Sequence, residues 1–232
     1  SLVSALASKY VKNLHTFSIG MEGSPDHEAA KKVADHIGSI HHVITLNEEE
    51  FLSAIPEVIR VIESWDVTTV RASVGNYLVG KYIRDNTPFK VVLNGDYSDE
   101  VTGGYLYMKL APNLVEFRDE CCRLVGDIHY FDSLRSDRTI SCHGLEARAP
   151  FADKAFVQYY LGLDPELTHP IDGKEKHLLR ESFRGFDLLP DDILFRQKEA
   201  FSDGVSSTTR SWFQIIQEKH KDEAEYYAKI FD

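Results

Sequence analysis

The chain has 232 residues and a formal net charge of -11, a balance that excludes broad binding to nucleic acid or anionic membranes, which needs a basic face. A hydrophobic share of 43% with 11% aromatics excludes global disorder and supports a sizeable core, and no apolar run approaches the roughly 18 residues of a membrane span. Three cysteines, Cys121, Cys122 and Cys142, two of them adjacent, argue against a disulfide framework or a zinc site and suit a reducing compartment such as the cytoplasm.

In chain order, Ser1 to Ala7 is already apolar at helical spacing, with no preceding cap, so the chain reads as entered in the middle of a unit. His15 to Gly20 reads as a strand. Ser24-Pro25-Asp26 starts a helix that Gly38 ends. His42 to Leu46 is the next strand, with His41-His42 at its entrance. Asn47 caps a helix carrying Glu48, Glu49 and Glu50 in its first turn, where acids suit the helix dipole, and this helix runs to about Ser64. Trp65 to Arg71 reads as irregular, and Ala72 to Arg84 as helix. Pro88 breaks the chain before a strand from Phe89 to Leu93. Strand and helix thus alternate, which indicates an open, mostly parallel α/β sheet.

From about residue 113 to 163 the pattern is helix-like, without clear strands. Further helical stretches are expected at Lys174 to Phe183 and Ser207 to Phe231, between punctuating prolines. The reading is one unit in two parts: an α/β core over 1–110 and a helical part over 111–232.

The most informative stretch is Asn94-Gly95-Asp96-Tyr97-Ser98-Asp99-Glu100, then Val101-Thr102-Gly103-Gly104-Tyr105. Parallel strands deliver functional groups at their carboxyl ends. Hydroxyls and carboxylates gathered there suit a nucleotide and its Mg²⁺, whereas a plain turn needs only Asn-Gly or Asp-Gly.

Five strings occur in one order: Phe17-Ser18-Ile19-Gly20; Asp66-Val67-Thr68-Thr69-Val70-Arg71-Ala72-Ser73; Gly95 to Tyr107; Gly144-Leu145-Glu146-Ala147-Arg148-Ala149-Pro150-Phe151; and Arg196-Gln197-Lys198-Glu199-Ala200-Phe201-Ser202-Asp203-Gly204. With them the chain resembles the synthetase domain of glutamine-hydrolysing (class B) asparagine synthetases over nearly its whole length. The resemblance implies the ATP-pyrophosphatase version of the doubly wound α/β fold, of the adenine nucleotide alpha-hydrolase type. It implies a ligase that activates aspartate with ATP to β-aspartyl-AMP, then amidates it with ammonia to asparagine. ATP and Mg²⁺ are the implied cofactors. Ammonia would come from glutamine through an N-terminal glutaminase domain that this stretch does not contain, and a homodimer is compatible with the resemblance. The family's S-G-G-x-D-S pyrophosphate loop would lie just before Ser1. The segment as given is therefore expected to be poorly stable and inactive alone.

Residue by residue, the resemblance assigns Lys198 to phosphate and Asp99 to Mg²⁺, with a helix N-cap as the plain alternative for Asp99. Ile19, Asn94, Gly95 and Ser98 would face ATP, and Thr68, Thr69 and Arg71 aspartate. For Arg71 an ion pair with a neighbouring acid is an equal alternative. Glu146 and Arg148 would line the active site or form a buried ion pair that braces the loop, with Arg148 in the supporting role. Asp96 stands where most relatives have glutamate in S-G-E-G-S-D-E, and Tyr97 where they have glycine. The shorter Asp96 would weaken the ammonia step, and Tyr97 would crowd the pocket. A β-lactam synthetase-like enzyme or another acyl-adenylating amidotransferase, and a non-catalytic nucleotide-binding fragment, are the competing readings.

Overall fold

A computed structural model describes residues 1–198, 201–207 and 209–231, apart from the side chain of Ser202. It is a mixed α/β structure. In chain order its first elements are α1 (Leu2–Ala7), β1 (His15–Gly20), α2 (Pro25–Ile37), β2 (Ile40–Thr45), α3 (Glu48–Ile62) and α4 (Val67–Asn86). These are followed by β3 (Val91–Leu93), α5 (Ser98–Thr102), α6 (Leu114–Asp127) and β4 (Glu146–Arg148). Short helices follow, the longest being Lys154–Leu161, Trp212–Lys219 and Glu223–Phe231.

The chain divides into two compact units built from interleaved segments. One comprises residues 1–12, 93–132 and 148–198, and the other 13–92, 133–147 and 199–232.

In the second unit, β1 and β2 form a two-stranded parallel sheet in the register His15 to Ile40 through Gly20 to Thr45. Helix α2 supplies the crossover. It ends at Gly38, whose φ of 67° places it in the left-handed region open to glycine. Asn47 starts α3 with a capping box: its side chain accepts from the Glu50 N–H, and the Glu50 carboxylate accepts from the Asn47 N–H. Phe51, Ile55, Val58, Ile59 and Ile62 are fully buried, at the helical spacing that gives α3 one apolar face. They join Val70, Val74, Trp212, Ile216 and Tyr227 in the main core. Each such side chain contributes roughly 1.5–3 kcal/mol by leaving water.

Two local readings of the sequence are corrected. Most of the stretch taken as irregular, Trp65 to Arg71, is helix, because Asp66 is the N-cap of α4 and accepts from the Thr69 N–H at 2.7 Å. The β-branched run Val67-Thr68-Thr69-Val70 is a poor helix former by itself. Burial of Val70 and Val74 against α3 supplies the difference. The second correction is β4, which lies in the region read as helical. β3 pairs with β4, and the Glu146 N–H donates to the Lys90 carbonyl at 2.7 Å.

His41 and His42 lie within β2 and not only at its entrance. His42 stacks on Phe17 and on His15 and shares a 2.8 Å hydrogen bond with His15. His41 bonds Thr16 and Ser18, and Ser18 also bonds His27. Burial lowers the pKa of His27, His41 and His42.

The carboxyl end of β1 is braced from the C-terminal part of the same unit. The Met21 N–H donates to the Val205 carbonyl at 2.6 Å, and the Ser24 hydroxyl donates to the Gly204 carbonyl at 2.6 Å. In the first unit a smaller cluster of Met108, Phe117 and Cys121 seats α6. All three cysteines are free. Among the described residues no helix is long and apolar enough to cross a membrane.

Candidate active site

The acidic turn lies in the first unit. Asn94, just past β3, donates its N–H to the Arg148 carbonyl at 3.0 Å, which fixes the start of the turn. Tyr97 precedes α5 with φ 70° and ψ -4°. That left-handed conformation costs a side-chain-bearing residue roughly 1–2 kcal/mol. It is the position where the resemblance expects glycine. Gly103, at φ 65°, ends the single helical turn, and the Gly104 N–H donates to the Asp99 carbonyl at 2.8 Å.

This turn holds the Asp99 carboxylate between two ammonium groups. Lys176 Nζ lies 3.0 Å from Oδ1 and Lys198 Nζ 3.2 Å from Oδ2. The side chains are 19%, 16% and 21% exposed respectively, so the cluster is mostly desolvated and still reachable. Lys176 also donates to Ser98 Oγ at 2.9 Å. Burial would raise the Asp99 pKa, but the two lysines outweigh it and hold the carboxyl below its ordinary value. Burial pulls the Lys176 pKa down, and Asp99 offsets part of that. The helix N-cap reading of Asp99 does not hold, because Tyr97 occupies that place.

Gly104 makes this packing possible. A Cβ there would lie 2.1 Å from Asp99 Oδ1 and 2.3 Å from Lys176 Cε. Behind the turn, Glu100 is buried and accepts from the Tyr105 hydroxyl, which also lies 3.5 Å from Asp132 Oδ2. Burial first, then the Asp132 charge, pushes the Glu100 carboxyl up to about 8.

Two cations around one carboxylate leave a net charge of +1 within a chain of net charge -11. Such a cluster is suited to a polyanion. Among the described residues no three His, Cys, Asp or Glu side chains group so as to hold a metal by themselves. Mg²⁺ is commonly held by one or two carboxylates plus substrate phosphates. Asp99 offers one such carboxylate, both of whose oxygens face ammonium groups here.

The other residues singled out in the sequence fall as follows. Ser98 is buried beside Lys176, while Asn94 and Asp96 are half-buried and Gly95 is exposed. Ile19 is buried in the main core. Thr69 is buried, its hydroxyl donating to Asp66 Oδ1 at 2.7 Å, and Thr68 is exposed. Arg71 pairs with the buried Glu223 at 2.7 Å and stacks over Phe213 at 4.7 Å. That is the ion-pair alternative for this arginine. Glu146 and Arg148 are exposed on β4. Glu199 and Ala200 of the lysine string lie outside the described residues. Lys176 was not singled out, and Gly104 and Tyr105 were named only within the acidic-turn stretch, without a role. The signal for Lys176 was faint: a lysine in the run Gly173-Lys174-Glu175-Lys176, whose left-handed backbone (φ 55°) only the structure displays.

An α/β chain with a paired-lysine carboxylate turn has clear relatives. The family model described as asparagine synthase matches residues 1–119 and 110–231, so the chain belongs to the asparagine synthase family. It is 52% identical over 224 residues to human "Asparagine synthetase [glutamine-hydrolyzing]", covering 94% of this chain and 40% of that protein. The proteins of the same description from rat and chicken match at 52% over the same shares. The chain thus spans about 40% of the length of the curated relatives it matches.

Proposed function

We propose that this chain is the synthetase part of a glutamine-hydrolysing asparagine synthetase, an ATP-dependent carbon–nitrogen ligase acting in the cytoplasm. The observation that carries the reading is the Asp99 carboxylate between Lys176 and Lys198, in a chain 52% identical to relatives of that description. The proposed fold is the doubly wound ATP-pyrophosphatase type, with residues 1–110 and 111–232 as parts of one catalytic domain. Free cysteines support the reducing compartment.

A carboxylate is a poor electrophile, so it must be given a leaving group. The side-chain carboxylate of aspartate attacks the α-phosphorus of ATP, and the bond to the bridging oxygen breaks, releasing pyrophosphate. Negative charge grows on pyrophosphate as that bond breaks. Lys198 and Lys176 neutralise it from a partly desolvated site, where fixed cations act most strongly. Asp99 is the residue that would hold Mg²⁺, which would supply further charge neutralisation on the phosphates. Ammonia then attacks the β-carbonyl carbon and AMP departs.

Asp96 accepts a proton from the attacking nitrogen, at a reach one methylene shorter than glutamate gives. Glu146 is a further candidate for the chemistry. Asn94, Gly95, Ser98 and Ile19 contact ATP, the last through its backbone. Thr68, Thr69 and Arg71 belong to the aspartate side, where Arg71 acts through its pair with Glu223. In the intact protein the ammonia comes from glutamine, and a homodimer is the proposed assembly.

The test is pyrophosphate release from Mg-ATP across a panel of amino acids and ammonium, using protein that includes the residues upstream of Ser1. Stimulation by aspartate, with asparagine formed, is expected. Stimulation by another carboxylic substrate instead would identify a different acyl-adenylating amidotransferase.

A further inference from the structure

Tyr105 takes no part in the chemistry above, yet three observations converge on it. Its ring lies under Lys198, with Nζ 5.9 Å from the ring centroid. Its hydroxyl is tied to the buried Glu100 and lies 3.5 Å from Asp132. Its ring also stacks on Tyr107, with centroids 5.9 Å apart and planes 14° apart. An aromatic ring fixed at its hydroxyl and by stacking has little freedom to turn. A lysine, by contrast, carries a flexible four-carbon stem that loses much rotamer freedom when it is placed. The pairing puts the mobile cation on the immobile ring.

We propose that Tyr105 is a positioning residue for Lys198. The face of its ring holds the ammonium in line with Asp99, so that a pyrophosphate group meets Lys198 already in place. The proposal rests on the polyphosphate reading of the site and deepens it. Glu100 is the anchor: the residue next to Asp99, it is 3% exposed, so the bond from the Tyr105 hydroxyl fixes the ring to the same helical turn that carries Asp99. Cation–π attraction of an ammonium to a tyrosine ring accounts for part of the effect and reduced entropy of the lysine for the rest.

The experiment is titration of magnesium pyrophosphate by calorimetry into protein that includes the residues upstream of Ser1, unsubstituted and in a double-mutant cycle. Tyr105→Leu is expected to weaken binding about fivefold. Tyr105→Phe keeps the ring, so its binding should stay within about twofold while its melting temperature falls because Glu100 loses its donor. In a Lys198→Met background, Tyr105→Leu should have no further effect, since no cation remains to be placed. Equal losses with and without Lys198, or no loss from Tyr105→Leu in folded protein, would overturn the proposal. Absence of any pyrophosphate binding by the unsubstituted protein would remove the polyphosphate reading itself, and this one with it.

Discussion

Gly104→Ala separates a site packed by design from a chance meeting of charges. The added methyl carbon would sit 2.1 Å from Asp99 Oδ1, 2.3 Å from Lys176 Cε and 2.9 Å from Asp99 Cα. The lysine end can swing aside cheaply, but Asp99 Cα is backbone and cannot. The Asp99 side chain must therefore rotate, or the turn through Gly104 must open and strain the 2.8 Å bond from its N–H to the Asp99 carbonyl. Overpacking of this kind costs about 1–3 kcal/mol. Losing the placement of one phosphate-binding cation costs about 3 kcal/mol in transition-state stabilisation, on the order of a hundredfold in rate. Urea unfolding reads the first quantity, and aspartate-dependent pyrophosphate release the second. Gly95→Ala is the internal control: nothing lies within 4 Å of a Cβ there, so stability should change by less than about 0.5 kcal/mol. If Gly104→Ala kept the stability of the control and the turnover of the unsubstituted protein, the close packing around Asp99 would have no functional meaning.

Arg71→Met leaves Glu223 buried with, among the described residues, the Tyr227 hydroxyl as its partner, and should destabilise by about 3 kcal/mol in urea unfolding. A raised KM for aspartate with unchanged stability would instead make Arg71 a direct substrate ligand. Acid should loosen the β1–β2 sheet. His27, His41 and His42 have pKa values below the ordinary 6.5, so the unfolded chain binds protons more readily. Their contribution is complete above that value and declines as pH falls through it toward the folded pKa values. The slope is at most about 1.4 kcal/mol per pH unit for each ring, and less for rings this exposed. Stability flat between pH 7 and 5.5 in the wild type, or unaltered in slope by His42→Asn, would refute this. Asp96→Glu restores the reach of the acceptor and should raise the ammonia-dependent rate at saturating ATP and aspartate by about tenfold. No change would remove Asp96 from the amidation step.

Elements whose signals are local were legible in the sequence. The Asn47 box, the Pro25 start and the Gly38 stop of α2, and the β1 run all depend on contacts within a few residues, and the structure shows them in place. The start of α4 was not legible. Its β-branched first turn opposes helix, and burial of Val70 and Val74 in the core shared with α3, Trp212 and Ile216 reverses that preference. β4 is three residues long, and its strand character comes from pairing with β3, some fifty positions earlier and invisible to periodicity.

The candidate site divides in the same way. Its acids announce themselves because three of them crowd one turn. The meeting of Asp99 with Lys198 across 99 positions was reachable only because both lie in strings of one family. Lys176 lies in no such string, and a lone lysine is by default solvated. What distinguishes it is its near burial and its distance to Asp99, and both exist only once the chain has closed. The positive charges of such a site are therefore harder to read than the negative ones. Asp and Glu at a turn carry local helix and capping meaning that sequence shows, whereas a lysine can reach the same carboxylate from any loop its long stem allows.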